Sequence, residues 1–225
     1  MSEDVQAVNE VASRQRLRVT FTRDVTLKYI GHLDISKAWQ RILRRAGWPL
    51  AYSEGFNPQP KITFAAALPV GCTSDHEVMD AVLSPALEID DARTRLERAL
   101  PPGIKLRSIE AVALNAPALQ TQLLSTEFEI SVEDPAAMAA LPDRVREFWA
   151  ATEVRRDRRG KVYNLRPLVQ SLSIEVQPDR AIVRSSLQGT ESGTGRPDEL
   201  IAALGVDPAT THIKRINLIF LDKTN

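Results

Sequence analysis

The sequence predicts an α+β fold, because segments with the period of a β-strand alternate with segments with the period of an α-helix. The order strand, helix, strand, strand, helix, strand occurs twice along the 225 residues. That length suits two domains of about 110 residues each. The expected architecture is therefore two tandem ferredoxin-like βαββαβ units. Residues 1–14 are interpreted as a flexible leader, 15–112 as the first domain, 113–122 as a linker and 123–225 as the second domain.

The first unit begins with Arg16–Thr22, whose alternation of polar and apolar residues is the pattern of a half-buried strand. A helix is expected from Gly31 to Ala46, because Gly31 can act as its N-cap and Gly47, followed by Pro49, can end it. The later elements are extended segments around Leu50–Ser53, Lys61–Leu68 and His76–Leu83, a helix at Asp90–Leu100 and a strand at Ile104–Val112.

The second unit repeats this order after the linker. Pro197, followed by Asp198 and Glu199, is typical of the first turn of a helix, where proline fits and acidic side chains face the positive end of the dipole. The predicted elements are a strand at Thr126–Val132, a helix at Pro135–Thr152, a hairpin from Leu168–Val176 and Arg180–Ser186, a helix at Pro197–Leu204 after the flexible Gly193–Gly195, and a strand at Thr211–Leu221.

The composition is that of a folded protein of the cytoplasm. Hydrophobic residues make up 43% of the chain, which is enough for a packed core and too many for a disordered chain. No apolar run approaches the roughly 18 residues that a membrane span needs. The polar N-terminus lacks the features of a signal peptide. Cys72 is the only cysteine, which excludes an internal disulfide and a multi-thiolate metal or iron–sulfur site within this chain. We therefore expect a cytoplasmic protein without membrane association.

The charge is distributed unevenly, although 29 basic residues balance 29 acidic residues. Between Arg14 and Lys61 the chain has ten basic and three acidic residues, a net charge of +7. From Ile62 to Leu100 it has three basic and seven acidic residues, a net charge of −4. Because local fields decide whether a phosphate backbone is attracted, the first of these regions is a candidate for nucleic-acid binding.

The predicted helix at Gly31–Ala46 has two chemically different faces. Its apolar face would carry Ile35, Ala38, Trp39, Ile42, Leu43 and Ala46, at about 100° per residue. Its polar face would carry Asp34, Lys37, Arg41 and Arg44, with Arg45 on the flank. Two interpretations remain open, a solvated face and a phosphate-binding face. The near absence of acidic partners at i+4 spacing favours the second.

The loop SEGFNPQPK, residues 53–61, follows this helix and is expected to be stiff. Pro58 and Pro60 restrict their own backbone and that of the residues before them, while Gly55 permits a tight turn. Such a loop would present an aromatic ring, an amide and a cation to a nucleobase and its phosphate. The alternative is a structural turn that buries Phe56 in the core. The loop residues concerned are Tyr52, Phe56, Asn57 and Lys61.

A second basic segment, Glu153–Arg166, is interpreted as a hairpin tip. It is either a solvated turn or a second phosphate-contact surface, and if both basic regions act together, binding would depend steeply on salt. Its candidate binding residues are Arg155, Arg156, Arg158, Arg159 and Lys161.

Four motifs between His32 and Asp80 together carry a family resemblance. They are His-Leu-Asp at the helix start, Arg-Arg-Ala-Gly at its end, the Ser-Glu-Gly-Phe-Asn-Pro-Gln-Pro-Lys loop, and Leu-Pro-Val-Gly followed by Glu77. This segment resembles the radical-SAM-linked family of uncharacterised proteins, which are domains of unknown function found beside or fused behind radical S-adenosylmethionine (SAM) proteins. The resemblance implies association with a radical enzyme and with RNA processing, and it carries no established catalytic residues. Because this chain lacks a Cys-x3-Cys-x-x-Cys motif, an iron–sulfur cluster and SAM would belong to the partner.

We therefore expect a non-catalytic RNA-binding or substrate-presenting module that works with a radical SAM enzyme and holds no cofactor or metal itself. Two alternatives remain open. The first is a metal-independent RNA endonuclease that uses His32, an idea that depends on analogy with other tandem ferredoxin-like proteins. The second is a protein-docking module that does not bind nucleic acid. His76 and Glu77 would point to opposite faces of a strand and make a poor metal pair.

Overall fold

A computed structural model describes residues 14–190 and 193–221 of the chain. Within these residues the protein is a mixed α+β structure with four α-helices and a large mixed β-sheet. The helices are α1 (His32–Arg45), α2 (Ile89–Ala99), α3 (Pro135–Ala150) and α4 (Pro197–Ala203). The strands are β1 (Gln15–Arg23), β2 (Ile62–Phe64), β3 (Cys72–Leu83), β4 (Ile104–Val112), β5 (Leu123–Val132), β6 (Arg155–Arg158), β7 (Lys161–Asn164), β8 (Val169–Val176), β9 (Ala181–Thr190), β10 (Gly193–Thr194) and β11 (His212–Phe220).

The predicted α+β class is confirmed, and the ferredoxin-like assignment of each half stays a prediction. The leader predicted at residues 1–14 lies, except for Arg14, outside the described residues. None of the helices in the described ranges is long and apolar enough to cross a membrane.

The described residues divide into two compact units. The first consists of the described residues up to Ala67 together with His76–Gln120. The second consists of Leu68–Asp75 together with the described residues from Thr121 onwards. Residues 68–75, expected in the first unit, thus pack with the second.

In the first unit the strands lie in the order β2–β3–β1–β4, with β2 antiparallel to β3 and β4 antiparallel to β1. One face of β1 buries Leu17, Val19 and Phe21 against residues of α1 and α2. The ring of Phe21 lies 4.5 Å from that of Trp39 in α1, centroid to centroid. This packing uses the apolar face that the helical period predicts.

Helix α1 begins and ends almost where the sequence predicts. Gly31 is its N-cap, and Gly47 follows Ala46 with a φ of +68°, a conformation that glycine adopts without strain. The amide of Gly47 donates to the carbonyl of Arg44, and the amide of Trp48 donates to the carbonyl of Leu43. These two bonds form the Schellman motif that ends many helices.

The opposite face of β1 is also buried, although a half-buried strand is predicted there. Arg16 and Arg18 both donate to the carboxylate of Asp80 on β3, through four hydrogen bonds of 2.6–3.0 Å. Arg16 also donates to the carbonyls of Ala116 and Pro117, in the predicted linker. The hydrogen bond with Asp80 raises the pKa of Arg18 above its ordinary value. A single carboxylate thus connects β1, β3 and, through Arg16, the segment after β4.

The second unit has the strand order β8–β9–β5–β11, and its core includes Leu141 and Phe148 of α3 and Leu200 of α4. The predicted hairpin after α3 is confirmed as β8 and β9. Strand β3 begins at Cys72, four residues before the predicted start. The reason is tertiary, because residues 72–74 pair in parallel with residues 213–215 of β11. Cys72 is fully buried there.

We predict that Asp80→Asn destabilises the protein by about 3–5 kcal/mol, because it removes the carboxylate that both buried arginines bind. The matched control is Asp91→Asn, which removes an exposed ion pair with Arg95 and should cost about 1 kcal/mol or less. Urea unfolding monitored by circular dichroism would measure both free energies. Equal effects of the two substitutions would show that the buried cluster contributes no more than a surface pair.

Candidate nucleic-acid interface

The exposed stripe of α1 is cationic. Lys37, Arg41 and Arg44 are exposed, and they follow the exposed Leu33 at helical spacing. The buried residues Ile35, Trp39, Ile42 and Leu43 occupy the opposite side. Among the described residues, no carboxylate lies within 4 Å of any of the three cations, whereas several other arginines there form ion pairs. The cationic stripe, Lys37, Arg41 and Arg44, therefore presents uncompensated charge to solvent.

Arg45 lies apart from this stripe. Its guanidinium donates to the carbonyl of Ala99, the last residue of α2. It also lines a shallow cavity of about 210 Å³ with Arg95 and Arg98. Arg45 therefore has a structural contact of its own, which the helical wheel could not reveal because its partner is more than fifty residues away in sequence.

The loop at residues 53–61 is closed at its base by backbone pairing. The amide of Ser53 donates to the carbonyl of Gln59 at 2.8 Å, and the amide of Lys61 donates to the carbonyl of Ala51 at 2.8 Å. The hydroxyl of Ser53 also accepts from the amide of Gln59 at 3.0 Å. Gly55 has a φ of +114°, which side-chain-bearing residues rarely adopt. These bonds hold the tip of the loop in a defined shape.

Phe56 is fully exposed at this tip, so the interpretation that it plugs the core is wrong. The closed base holds the ring in solvent, and Phe64 fills the core after the loop instead. Tyr52 and Lys61 are also exposed. The side-chain oxygen of Asn57 accepts from the side-chain amide of Gln59 at 3.1 Å. The loop therefore displays an aromatic ring, an amide and a cation, as the binding interpretation requires.

A ring contact connects helix α1 to β2, the strand that follows this loop. His32, exposed in the first turn of α1, lies edge-on to Phe64 of β2, with ring centroids 5.6 Å apart. Phe64 lies three residues after Lys61, so the start of the helix lies beside the strand that leaves the loop. The structure thus gives His32 a packing contact, and its catalytic role stays a prediction.

A cleft of about 440 Å³ adjoins the loop and was not predicted. Ser53, Gln59 and Lys61 line one part of it, and the ion pair of Arg16 with Asp80 lines another. In the sequence, only the alternation in Arg16–Thr22, which places Arg16 and Arg18 on one face, points to this cleft. It could not show that Asp80, on another strand, lies opposite them.

The second basic segment forms the hairpin of β6 and β7, as predicted. Arg159 and Gly160 make its turn with φ values of +54° and +77°. Two of its cations are paired, Arg155 with Glu153 at 3.0 Å and Arg156 with Glu199 at 2.8 Å. The sequence offers five candidate binding cations in this segment, and the structure distinguishes the two that have carboxylate partners from the other three.

No group of three or more histidine, cysteine, aspartate or glutamate side chains in the described part of the chain is arranged to hold a metal ion. His76 is half-buried and Glu77 is buried, on successive positions of β3. His212 shares a 3.3 Å contact with the hydroxyl of Thr73.

Comparisons with known proteins identify a family for this chain. A family model described as "Uncharacterized protein conserved in bacteria (DUF2344)" matches residues 16–197. No curated protein matches the sequence significantly. The chain is similar to one in "Structure of H/ACA RNP bound to a substrate RNA containing 2'-deoxyuridine", with 12% identity and a TM-score of 0.40 over 84% of this chain and 44% of that one. It is also similar to one in "Crystal Structure of a Cbf5-Nop10-Gar1 Complex", with 12% identity and a TM-score of 0.45 over 89% of this chain and 48% of that one.

The chain therefore spans less than half the length of either solved chain. At TM-scores below 0.5, neither likeness bears on function.

Proposed function

Because this chain belongs to the DUF2344 family of uncharacterised proteins conserved in bacteria, we propose its function from its own surface: it is a non-catalytic, RNA-binding accessory module that presents a substrate to a radical SAM enzyme. The observation that carries this proposal is the fully exposed ring of Phe56 on a loop closed by hydrogen bonds, in the same unit as the cationic stripe.

The position of Phe56 is energetically unusual. Full burial of a phenylalanine side chain is worth roughly 1.5–3 kcal/mol, so a loop without a binding role would gain by folding this ring inward. A ring held in water loses little conformational freedom when a base stacks on it. Stacking of one base on an aromatic side chain is worth about 1–3 kcal/mol. These magnitudes favour a nucleobase as the partner of Phe56.

The cationic stripe supports the same ligand. Lys37, Arg41 and Arg44 occupy successive turns of one rigid helix, which suits the regular spacing of phosphates along a strand. Phosphate contacts of this kind supply affinity without sequence preference, and base stacking adds to it. The chain as a whole has no net charge, so attraction of RNA would depend on the local charge of this stripe and not on the overall charge of the protein.

The radical SAM partner is proposed from the family resemblance of residues 32–80. With one cysteine in 225 residues, and that one fully buried, this chain offers no thiolate set for a cluster. The reductive chemistry of SAM would therefore take place on another protein or segment, and this unit would hold the RNA.

We predict that charge reversal of the cationic stripe, Lys37→Glu, Arg41→Glu and Arg44→Glu together, weakens single-stranded RNA binding at least about tenfold. The slope of log K against log salt should fall by about 2–3, because each lost phosphate contact contributes roughly 0.7–0.9. Fluorescence anisotropy at several salt concentrations would measure both. The melting temperature should be preserved, since the stripe lies opposite the buried face.

A matched triple reversal controls for net charge. Arg95, Arg146 and Arg180 are surface arginines that each pair with a neighbouring carboxylate, and reversing them changes the net charge by the same amount. RNA affinity should change little. If both triple variants lose affinity equally, the stripe is not the binding surface. A wild-type chain that binds no RNA would leave protein docking as the function of this face.

The loop gives a separate prediction. Phe56→Ala should lower RNA affinity about fivefold to 100-fold while changing the free energy of unfolding by less than about 0.5 kcal/mol, because the ring is exposed. Lys61→Ala and Asn57→Ala should each cause a smaller loss, about threefold to tenfold. Phe64→Ala is the control, since this buried ring should cost about 3–5 kcal/mol of stability. Normal RNA binding by all three loop variants would remove the loop from the interface.

The accessory role predicts that the chain alone acquires no visible iron–sulfur absorption after anaerobic reconstitution and does not cleave SAM. Cys72→Ala serves as the control, because iron bound equally by this variant is not held by a thiolate. Deoxyadenosine produced by the isolated chain, measured by mass spectrometry, would contradict the proposal.

A further inference from the structure

The second unit contains a cleft of about 480 Å³, lined in part by cations of the second basic segment. One wall is the tip of the β6–β7 hairpin and the other is the segment around β10 and the start of α4. The polar lining residues that could contact a ligand are Arg158, Arg159, Lys161, Tyr163, Thr194 and Arg196.

The hairpin presents one of its two faces to this cleft. Arg156 and Arg158 are half-buried, whereas Arg155 and Asp157 are exposed, so the strand has an inner and an outer face. Arg156 lies opposite Tyr163, and Arg158 lies opposite Lys161, in the β6–β7 pairing. Directly opposed residues share a face of a β-ladder. The inner face therefore carries three cations and a tyrosine.

Contacts at its base hold the hairpin in place. Arg156 binds the carboxylate of Glu199 in the first turn of α4. The side-chain oxygen of Asn164 accepts from the amide of Val154 at 2.9 Å and from the amide of Arg166 at 3.0 Å. These bonds cross the two strand ends. The inner face is thus held toward α4 without a ligand, which reduces the entropy lost on binding.

The charges around the cleft are only partly balanced. Arg196 pairs with Asp198 at 2.9 Å, and Arg156 pairs with Glu199. Arg158, Arg159 and Lys161 have no carboxylate within 4 Å among residues 14–190 and 193–221. A concave site with several cations of one sign focuses positive potential and attracts an anion.

In the opposite wall, around β10, two glycines leave the backbone without side-chain cover. A Cβ atom at Gly193 would lie 2.8 Å from the side chain of Leu168, and one at Gly195 would lie 3.0 Å from the Leu168 carbonyl oxygen. Glycine at both positions lets this segment pack closely against Leu168. The hydroxyl of Thr194 then remains as a small polar group on the rim.

Tyr163 adds an aromatic surface to the cationic one. It is half-buried in the cleft, and burial, followed by the nearby charge of Glu199, raises the pKa of its phenol. The phenol therefore keeps its proton at neutral pH and can donate a hydrogen bond. An aromatic ring beside several cations suits a base or ribose attached to a phosphate.

We propose that this cleft is a nucleotide-binding site that takes a phosphate monoester, with Arg158, Arg159 and Lys161 at the phosphate and Tyr163 against the nucleoside. The site goes beyond the RNA-binding function proposed for the first unit and does not depend on it. The phosphate monoester belongs either to a free nucleotide or to the 5′ end of an RNA.

Calorimetric titration of the full chain with adenosine 5′-monophosphate at low ionic strength tests the site. We expect saturable binding, weakened about tenfold or more by Arg158→Ala and by Lys161→Ala. Arg155→Ala is the matched control, because it removes the same charge from the outer face of the same strand, where Arg155 pairs with Glu153. Its affinity should stay within about twofold of the native value.

Three results would overturn the proposal: no saturable binding by the native chain, an equal loss with Arg155→Ala, or inorganic phosphate binding as tightly as the nucleotide. Competition by a 5′-phosphorylated RNA, and not by the same RNA with a 5′-hydroxyl, would assign the RNA end as the source. Absence of competition by either RNA would assign the free nucleotide.

The variant with a reversed cationic stripe separates this site from the proposed function. It should retain native affinity for adenosine 5′-monophosphate even if its RNA binding is lost. A failure of RNA binding in the first unit therefore leaves the result for this cleft unchanged.

Discussion

The carboxylate of Asp80 is the constraint on which the first unit depends. It accepts hydrogen bonds from both Arg16 and Arg18, and Arg16 in turn holds the carbonyls of Ala116 and Pro117. These contacts join β1, β3 and the segment after β4 through three buried charged groups, and loss of one partner would leave the others unpaired. Glu110, which lies opposite Arg18 in the β1–β4 pairing, adds a second negative charge near the two arginines.

The described cations differ in the same way in whether they have a partner within the fold. Arg45 and Arg156 each contact a group from a different secondary-structure element and contribute to packing. The residues of the cationic stripe lack such partners in the described ranges, so their charge remains available to a ligand. Local composition alone does not show which cations have such contacts, because neighbouring arginines such as Arg44 and Arg45 differ in their partners.

Phe56 shows how a closed loop can hold an apolar ring in water. The backbone pairs at Ser53 and Lys61 fix the ends of the loop, and the core position nearby is filled by Phe64. Exposure of this apolar ring is unfavourable, and the stability of the rest of the fold offsets it. Binding residues commonly lie on loops that a rigid scaffold positions in this way.

The sequence by itself determined the α+β class, the limits of α1 with its glycine cap, the hairpin at β6–β7 and the absence of a thiolate cluster. These features depend on neighbours within a few residues, where periodicity, glycine and turn chemistry act directly. Only the tertiary structure decided that the polar face of β1 is buried, that β3 begins at Cys72, that Phe56 faces solvent, and that Arg45, Arg155 and Arg156 are paired. Each of these outcomes, except the exposure of Phe56 and the Arg155 pair, depends on residues distant in the sequence. A local pattern indicates which side a residue faces and not what lies opposite it.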